Sequence, residues 1–155
     1  MVTERELVAI RAHAERDYPA ECCGVVLVRS QGVSERHMSA CRNIQDALHA
    51  KDPAGFPRDA RTAYYMAPED LLEIGRKESQ GYAVHAIYHS HIDAGAYFSE
   101  TDRRNALMDG EPAYPGTTYV VVAVRQGRAE EARAFCWDSS AREFTETPLT
   151  VVQNR

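Results

Sequence analysis

Two histidines separated by one serine, His89 and His91, follow an apolar segment and are the residues best suited to binding a metal ion. Residues i and i+2 of a strand project from the same face, with Cα atoms about 6.6 Å apart. Two imidazoles that lean together from this spacing can bind one zinc ion. Two ordinary histidines at a strand end would show the same spacing, so the spacing alone leaves ligation open.

A third ligand is available at Asp102, in the first turn of the next predicted helix. The loop before this helix contains Gly95, which allows the chain to turn back toward the histidines. Three protein ligands leave the fourth position of a tetrahedral zinc open for water, as a catalytic zinc requires. Ser99 and Asp102 also match a helix capping box, which is usually structural, and a serine near a helix N-terminus can serve both purposes.

A hydrolytic zinc site also needs a general base, and Glu21 is the candidate. It lies between Pro19, which ends the first predicted helix, and an apolar strand that starts at Cys23. A carboxylate at this junction could take a proton from the activated water and pass it to a leaving amine. Ser99 could donate a hydrogen bond to the oxyanion that forms. Most glutamates are solvated, so Glu21 by itself would not indicate catalysis.

The remaining histidines do not join this group. His85 is predicted to share the strand face of His89, but it lies about 13 Å away along a strand and cannot bind the same ion. His13, His37 and His49 have no partner pattern and are predicted to be surface residues.

The four cysteines, Cys22, Cys23, Cys41 and Cys136, fit no Cys-x-x-Cys pattern for zinc or redox chemistry. Adjacent cysteines in a strand point to opposite faces, so Cys22 and Cys23 cannot easily chelate one ion together. We therefore predict free thiols that act as small core residues.

The elements that position these residues begin with a helix and a hairpin. Thr3 and Glu6 match a capping box, and apolar residues at helical spacing predict a helix over residues 4–17. Apolar runs on either side of a glycine predict a hairpin of strands 23–28 and 33–41. Residues 42–65 are polar and contain prolines, which indicates a long connection of the kind that is often functional.

The second half is predicted to hold two helices and several strands. One helix starts at Pro68 and ends near Gly81. Its apolar side would consist of Leu71, Leu72 and Ile74. A buried strand over 83–88 runs into the two histidines, and Ser99 opens the next helix. Further strands are predicted over residues 118–124, 132–137 and 144–152. The pattern is α+β, with one mostly antiparallel sheet and a few helices.

Length and composition limit the class of protein. The 155 residues, 44% of them hydrophobic, suffice for one domain spanning 1–155. The net charge is -5, and the chain lacks the basic patch that is typical of nucleic-acid binding. No apolar run approaches the ~18 residues that span a bilayer, and the N-terminus does not resemble a signal peptide. We therefore expect a cytoplasmic protein that binds neither nucleic acid nor membrane.

The full pattern resembles the signature of the JAMM (MPN+) metalloproteases. His89-Ser90-His91 is followed at the family's spacing by Ser99 and Asp102, and Tyr18–Gly24 resembles the segment that carries the family's catalytic glutamate. The resemblance implies one zinc per chain, held by His89, His91 and Asp102. It also implies Glu21 as general acid/base, Ser99 as the residue that steadies the tetrahedral intermediate, and a curved sheet flanked by helices, related to cytidine deaminases.

The small bacterial members of that family act on ubiquitin-like sulfur-carrier proteins. They trim residues beyond the carrier's C-terminal Gly-Gly or release an amino acid attached there, and this is the substrate that the resemblance implies. One departure is Ile92, where the family usually has proline. A scaffold module without catalysis is the alternative function; a deaminase is disfavoured because the chain lacks the His-x-Glu and Pro-Cys-x-x-Cys signature. A homodimer is left open.

Overall fold

The fold is built on a six-stranded sheet, seen in a computed structural model that describes residues 1–153. The helices are α1 (Glu4–Asp17), α2 (Gln45–Lys51), α3 (Pro68–Ser79) and α4 (Glu100–Ala106). The strands are β1 (Val2–Thr3), β2 (Cys23–Arg29), β3 (Glu35–Cys41), β4 (Ala83–Ile92), β5 (Leu107–Met108), β6 (Glu111–Pro112), β7 (Thr118–Arg125), β8 (Arg128–Asp138), β9 (Glu143–Thr147) and β10 (Val151–Val152). In these residues, no helix is both long and apolar enough to cross a membrane.

The strand order is β3-β2-β4-β7-β8-β9. Every neighbouring pair is antiparallel except β4 and β7, which run parallel. The predicted α+β class with a mostly antiparallel sheet is therefore confirmed. A parallel pair needs a crossover connection, and the crossover from β4 to β7 contains α4. This topology brings the N-terminus of α4 back toward the C-terminal end of β4.

Helix α1 covers one face of the sheet, here called the α1 face. The predicted capping box is present, since Thr3 N–H donates to Glu6 at 2.7 Å and Glu6 N–H donates to Thr3 Oγ1 at 3.1 Å. Ile10 and Ala14 are fully buried against the sheet. The α1 face comprises Val26, Ala86, Tyr88, Val120 and Val122.

The opposite face, here called the α3 face, is covered partly by α3. It comprises Val25, Leu27, Ile87, Tyr119 and Val121, with Ile74 of α3 packed against them. The predicted apolar side of α3 is only partly correct, because Leu71 is 42% and Leu72 66% exposed. Of these three side chains, Ile74 is the buried one.

Two predicted segments differ in detail from the structure. The connection 42–65 is not wholly irregular, because it contains the short helix α2. The predicted strand 144–152 is split: β9 extends the sheet, whereas β10 pairs in parallel with β1 beside α1.

His85 does not share the face of His89, contrary to the prediction. The pairing of β2 with β4 shifts at this point, so that Val26 is opposite Ala86 whereas Leu27 is opposite Val84. The extra residue in β4 is His85, and a bulge of this kind breaks the alternation of side chains. Its Nε2 contacts the carbonyl oxygen of Met1 at 2.7 Å, near α1.

The prediction that His13 is a surface residue is wrong, because this residue of α1 is only 4% exposed. Nε2 contacts Asp17 Oδ2 at 3.0 Å and Nδ1 contacts the Tyr88 hydroxyl at 2.8 Å. An ionised Asp17 requires the proton on Nε2, so the Tyr88 hydroxyl donates to Nδ1. His37 and His49 are half-buried rather than fully exposed.

All four cysteines are free thiols. Cys22 packs on the α1 face and Cys23 on the α3 face, which confirms that the adjacent pair points in opposite directions. Burial raises the pKa of Cys22 to about 12, so this thiol stays neutral.

Candidate metal centre and active site

Three predicted ligands meet where the C-terminal end of β4 faces the N-terminus of α4. His89 Nε2 lies 3.2 Å from His91 Nε2 and 3.1 Å from Asp102 Oδ1. His91 Nε2 lies 3.2 Å from Asp102 Oδ2. All three side chains are buried. The fold therefore brings together the three residues that the sequence spacing singled out.

The spacing of the ligand atoms fits a zinc ion. Atoms about 2.0–2.1 Å from a tetrahedral zinc lie about 3.3 Å from one another, close to the 3.2 Å between the two Nε2 atoms and to the 3.1–3.2 Å from each Nε2 to its nearer Asp102 oxygen, which is Oδ1 for His89 and Oδ2 for His91. His91 Nδ1 lies 2.9 Å from the carbonyl oxygen of Gly95, which requires a proton on Nδ1. Nε2 is therefore the ring nitrogen of His91 that faces Asp102 and is placed to bind a cation.

The two imidazoles are held in different ways. The hydrogen bond to Gly95 fixes the ring of His91, as partners in the outer shell of metal sites usually do. His89 instead stacks on Tyr64, with ring centroids 4.8 Å apart. Its Nδ1 is buried and has no hydrogen-bond partner among the described residues. The orientation of His89 therefore depends on packing rather than on a second hydrogen bond.

Asp102 acts both as a helix cap and as part of the cluster. Ser99 N–H donates to Asp102 Oδ2 at 2.8 Å, and Asp102 N–H donates to Ser99 Oγ at 3.0 Å. The capping box predicted as an alternative to function is therefore present together with the cluster. Burial raises the pKa of Asp102, but the nearby charge of His89, with hydrogen bonds from both histidines and Ser99, outweighs burial and holds the pKa well below its usual range.

Glu21 lies just before β2, where hydrogen bonds to its backbone fix its position. Its N–H donates to Ala60 O at 2.7 Å, and its carbonyl oxygen accepts from Asn43 Nδ2 at 2.9 Å. The side chain is only 4% exposed. Burial raises the pKa of Glu21 to about 9, the negative charge of Asp102 adds to the rise, and the positive charge of Arg58 opposes it.

A cleft of about 320 Å³ joins these groups. Glu21, His91 and Ser99 all line it, so the structure places the predicted general base and the predicted hydrogen-bond donor on the walls of one cleft. Two arginines that sequence analysis did not single out, Arg58 and Arg61, line the same cleft.

Comparison with known proteins identifies the family. Residues 3–139 match the family of prokaryotic homologues of the JAB domain. The chain belongs to this family. The JAMM resemblance read from the sequence is therefore confirmed, and so is the fold that the resemblance implied.

Individual members of the family support this assignment. A protein of Mycobacterium tuberculosis named CysO-cysteine peptidase is 31% identical over 157 residues, which cover 99% of this chain and 92% of that protein. The solution structure of a Salinibacter ruber protein, 28% identical, has a TM-score of 0.60 and covers 99% of this chain and 92% of that chain. The solution structure of a Desulfitobacterium hafniense protein has a TM-score of 0.65 at 18% identity, covering 99% of this chain and 91% of that chain, and supports the fold alone.

The loop after His91 lacks the proline usual in the JAMM pattern, but other contacts hold it. Ile92 is 9% exposed, and Asp93 follows with φ 51°. The Asp93 carboxylate accepts hydrogen bonds from the Tyr18 hydroxyl at 3.0 Å, Arg61 at 2.9 Å and Gln126 N–H at 2.9 Å. Asp93 therefore links the histidine loop to the end of α1, to the connection 42–65 and to the turn after β7.

Sequence analysis missed the aromatic residues of this JAB-family site. Tyr64 stacks on His89, and the ring of Tyr97 lies 4.7 Å from that of His91. Tyr64 belongs to the connection 42–65. Hydrophobic periodicity predicts helices and strands, but it does not predict which loop residue contacts the end of a strand. The only available signal was that this long connection is aromatic and basic near its end.

Proposed function

We propose that the chain is a zinc-dependent peptidase that cleaves the bond after the C-terminal Gly-Gly of a ubiquitin-like sulfur-carrier protein. The observation that carries the proposal is the convergence of His89, His91 and Asp102 beside a cleft that Glu21 also lines. Membership of the JAB family and similarity to a protein named CysO-cysteine peptidase support the same class of reaction.

His89, His91 and Asp102 would hold the zinc ion, in keeping with their ligand chemistry and spacing. When bound there, zinc would polarise the scissile carbonyl and lower the pKa of the attacking water. Cysteine ligation is not part of the proposal, because Cys22 and Cys23 are buried on the two faces of the sheet.

Glu21 would move the proton during hydrolysis. It takes a proton from water as the water oxygen bonds to the scissile carbonyl carbon, and it returns that proton to nitrogen as the carbon–nitrogen bond breaks. One water is consumed, and the products are a carrier that ends in a Gly-Gly carboxylate and a free amine.

Ser99 would stabilise the negative charge that develops on the carbonyl oxygen. Its Oγ already accepts a hydrogen bond from Asp102 N–H at 3.0 Å, and this contact fixes the oxygen at the cleft. Because the oxygen is the acceptor in that bond, the hydroxyl proton remains available for donation to the substrate.

The test is a Glu21→Gln variant incubated with a ubiquitin-like carrier that bears residues after Gly-Gly, read by mass spectrometry. We expect cleavage to slow roughly a hundred- to ten-thousand-fold, since the amide cannot take the proton. Elemental analysis should still give about one zinc per chain. Glu4→Gln, at an exposed position of α1, serves as the control and should cleave normally.

Normal turnover by the Glu21→Gln variant would remove Glu21 from the mechanism. A wild-type chain that binds the carrier but contains no zinc and cleaves nothing would favour the scaffold alternative.

A further inference from the structure

A second cavity, here called the side pocket, adjoins the catalytic cleft. Its volume is about 450 Å³, within the range of small-ligand sites. It lies between the end of the connection 42–65 and α4. Its aromatic and aliphatic walls include Phe56, Tyr64, Ile87, Tyr114 and Tyr119. Arg58 and Thr101 line both cavities, so the side pocket and the cleft are neighbours that share walls.

The interior of the side pocket contains a polar group without a protein partner. Tyr119 is 3% exposed, and its ring packs against Phe98 and Phe144, each with a centroid distance of 5.3 Å. Its hydroxyl makes no hydrogen bond with any other residue in 1–153, although its side chain lines the pocket. The hydroxyl is not one of the fully enclosed polar atoms without a partner, so it is open to the pocket. The side pocket therefore offers a hydrogen bond within a largely apolar enclosure.

Two exposed arginines at the side pocket, Arg58 and Arg104, make no ion pair within residues 1–153. Their neighbours do: Arg61 pairs with Asp93 at 2.9 Å, and Arg103 with Glu100 at 4.0 Å. An arginine whose charge is not neutralised is suited to binding a carboxylate. Arg58 and Glu21 both line the catalytic cleft, so a carboxylate bound by Arg58 would lie in the same cleft as the amine that Glu21 would protonate.

From these contacts we infer that the side pocket is the subsite for the leaving residue, taking a large apolar side chain while Arg58 binds that residue's free carboxylate. The inference rests on the proposed peptidase function. Glycine residues before the scissile bond have no side chain to fill such a pocket, so its occupant must follow the bond. The amine and the carboxylate of an amino acid are separated by one carbon, which suits Glu21 and Arg58 as two residues that line one cleft.

The substrate class follows from this arrangement. The bond cleaved joins Gly-Gly to a single C-terminal residue with a large apolar side chain, and that residue leaves as a free amino acid. A chain that continues, or one that ends in an amide, presents no carboxylate to Arg58. The leaving residue is therefore selected by its charge at the cleft and by its side chain in the side pocket.

The first test compares acetylated peptides that end in Gly-Gly-Phe with a free or an amidated C-terminus. The zinc-loaded wild type should cleave the free acid about 10- to 100-fold more efficiently, chiefly through KM. Arg58→Gln should reduce this ratio toward one, and Arg58→Lys should restore part of it. Arg76→Gln, an exposed arginine of α3, is the control and should keep the wild-type ratio.

The second test narrows the side pocket with Ala113→Leu, at an exposed position of its wall. Cleavage of Gly-Gly-Phe should slow relative to Gly-Gly-Ala, because only the larger side chain competes with the new leucine. Ala50→Leu, on the exposed surface of α2, should leave the ratio of the two substrates unchanged.

A third readout does not use catalysis. N-acetylphenylalanine should bind the metal-free chain saturably and shift the NMR signals of Tyr114 and Tyr119, and Arg58→Gln should abolish this binding. Equal cleavage of acid and amide, unaffected by Arg58→Gln, would overturn the inference but leave the peptidase intact. If neither peptide nor any extended carrier is cleaved while N-acetylphenylalanine still binds, the proposed function fails and the side pocket stands as a binding site.

Discussion

The two faces of the sheet use the same kinds of side chain for different purposes. On the α1 face, His13 contacts Asp17 at 3.0 Å and accepts a hydrogen bond from the Tyr88 hydroxyl, so both ring nitrogens have partners. On the α3 face, His91 contacts Asp102 at 3.2 Å, but the neighbouring His89 keeps a buried nitrogen without a partner. A buried histidine–aspartate pair therefore does not by itself indicate a metal site; what distinguishes the α3 face is that a second histidine nitrogen converges on the same carboxylate.

The largest expected effect concerns packing on the α1 face. A Cβ at Gly24 would collide with the Tyr88 hydroxyl and with the backbone oxygen of Ser39. Gly24→Val should therefore lower the free energy of unfolding by about 3 kcal/mol or more, measured by urea denaturation. Gly75→Ala is the matched control: a Cβ there meets no atom within 4 Å, and helix propensity predicts a gain of up to about 1 kcal/mol. Unchanged stability in Gly24→Val would mean that the contact with Tyr88 is not tight.

The second prediction distinguishes Asp102 from Asp17 by how each substitution changes the stabilisation of the chain by zinc. Zinc at 100 times its dissociation constant should stabilise the wild type by about 2.7 kcal/mol, because it binds only the folded chain. Asp102→Asn should lose most of this increase, since the carboxylate ligand is removed. Asp17→Asn should keep it, although the metal-free form should be less stable by about 1 kcal/mol. An equal zinc response in both variants would contradict the assignment of Asp102 as a ligand.

The smallest expected effect is a pH dependence on the α1 face. Burial lowers the pKa of His13 below its ordinary value of 6.5, Arg16 adds to the decrease, and Asp17 opposes it. The unfolded chain therefore binds a proton before the folded chain does, and stability falls as pH drops below about 6.5. His13→Leu should be less stable by about 1–3 kcal/mol at pH 8, since the Tyr88 hydroxyl loses its acceptor.

The difference between wild type and His13→Leu should narrow toward pH 5, as measured by denaturation at several pH values. A His37→Leu variant, changed at a half-buried histidine without a hydrogen bond among the described residues, should show no such narrowing. A constant difference for His13→Leu across this pH range would contradict the sign of the shift.

Local signals in the sequence predicted the parts of the site that depend on local geometry. The capping box at Ser99 and Asp102 placed the aspartate in the first turn of α4, and strand alternation placed His89 and His91 on one face. Contacts between residues far apart in the sequence could not be predicted from local signals. The bulge at His85 depends on pairing with β2, and the burial of His13 depends on the position of Tyr88 across the interface with α1. The side pocket combines residues from distant segments, so no single stretch of sequence indicates it.

Asp93 restrains the loop that leaves the histidines through hydrogen bonds and an ion pair rather than through a cyclic side chain. A proline ring restricts one backbone angle in any solvent, whereas an exposed ion pair such as Arg61–Asp93 weakens as ionic strength rises. The order of this loop is therefore sensitive to salt in a way that the order of a proline-containing loop is not.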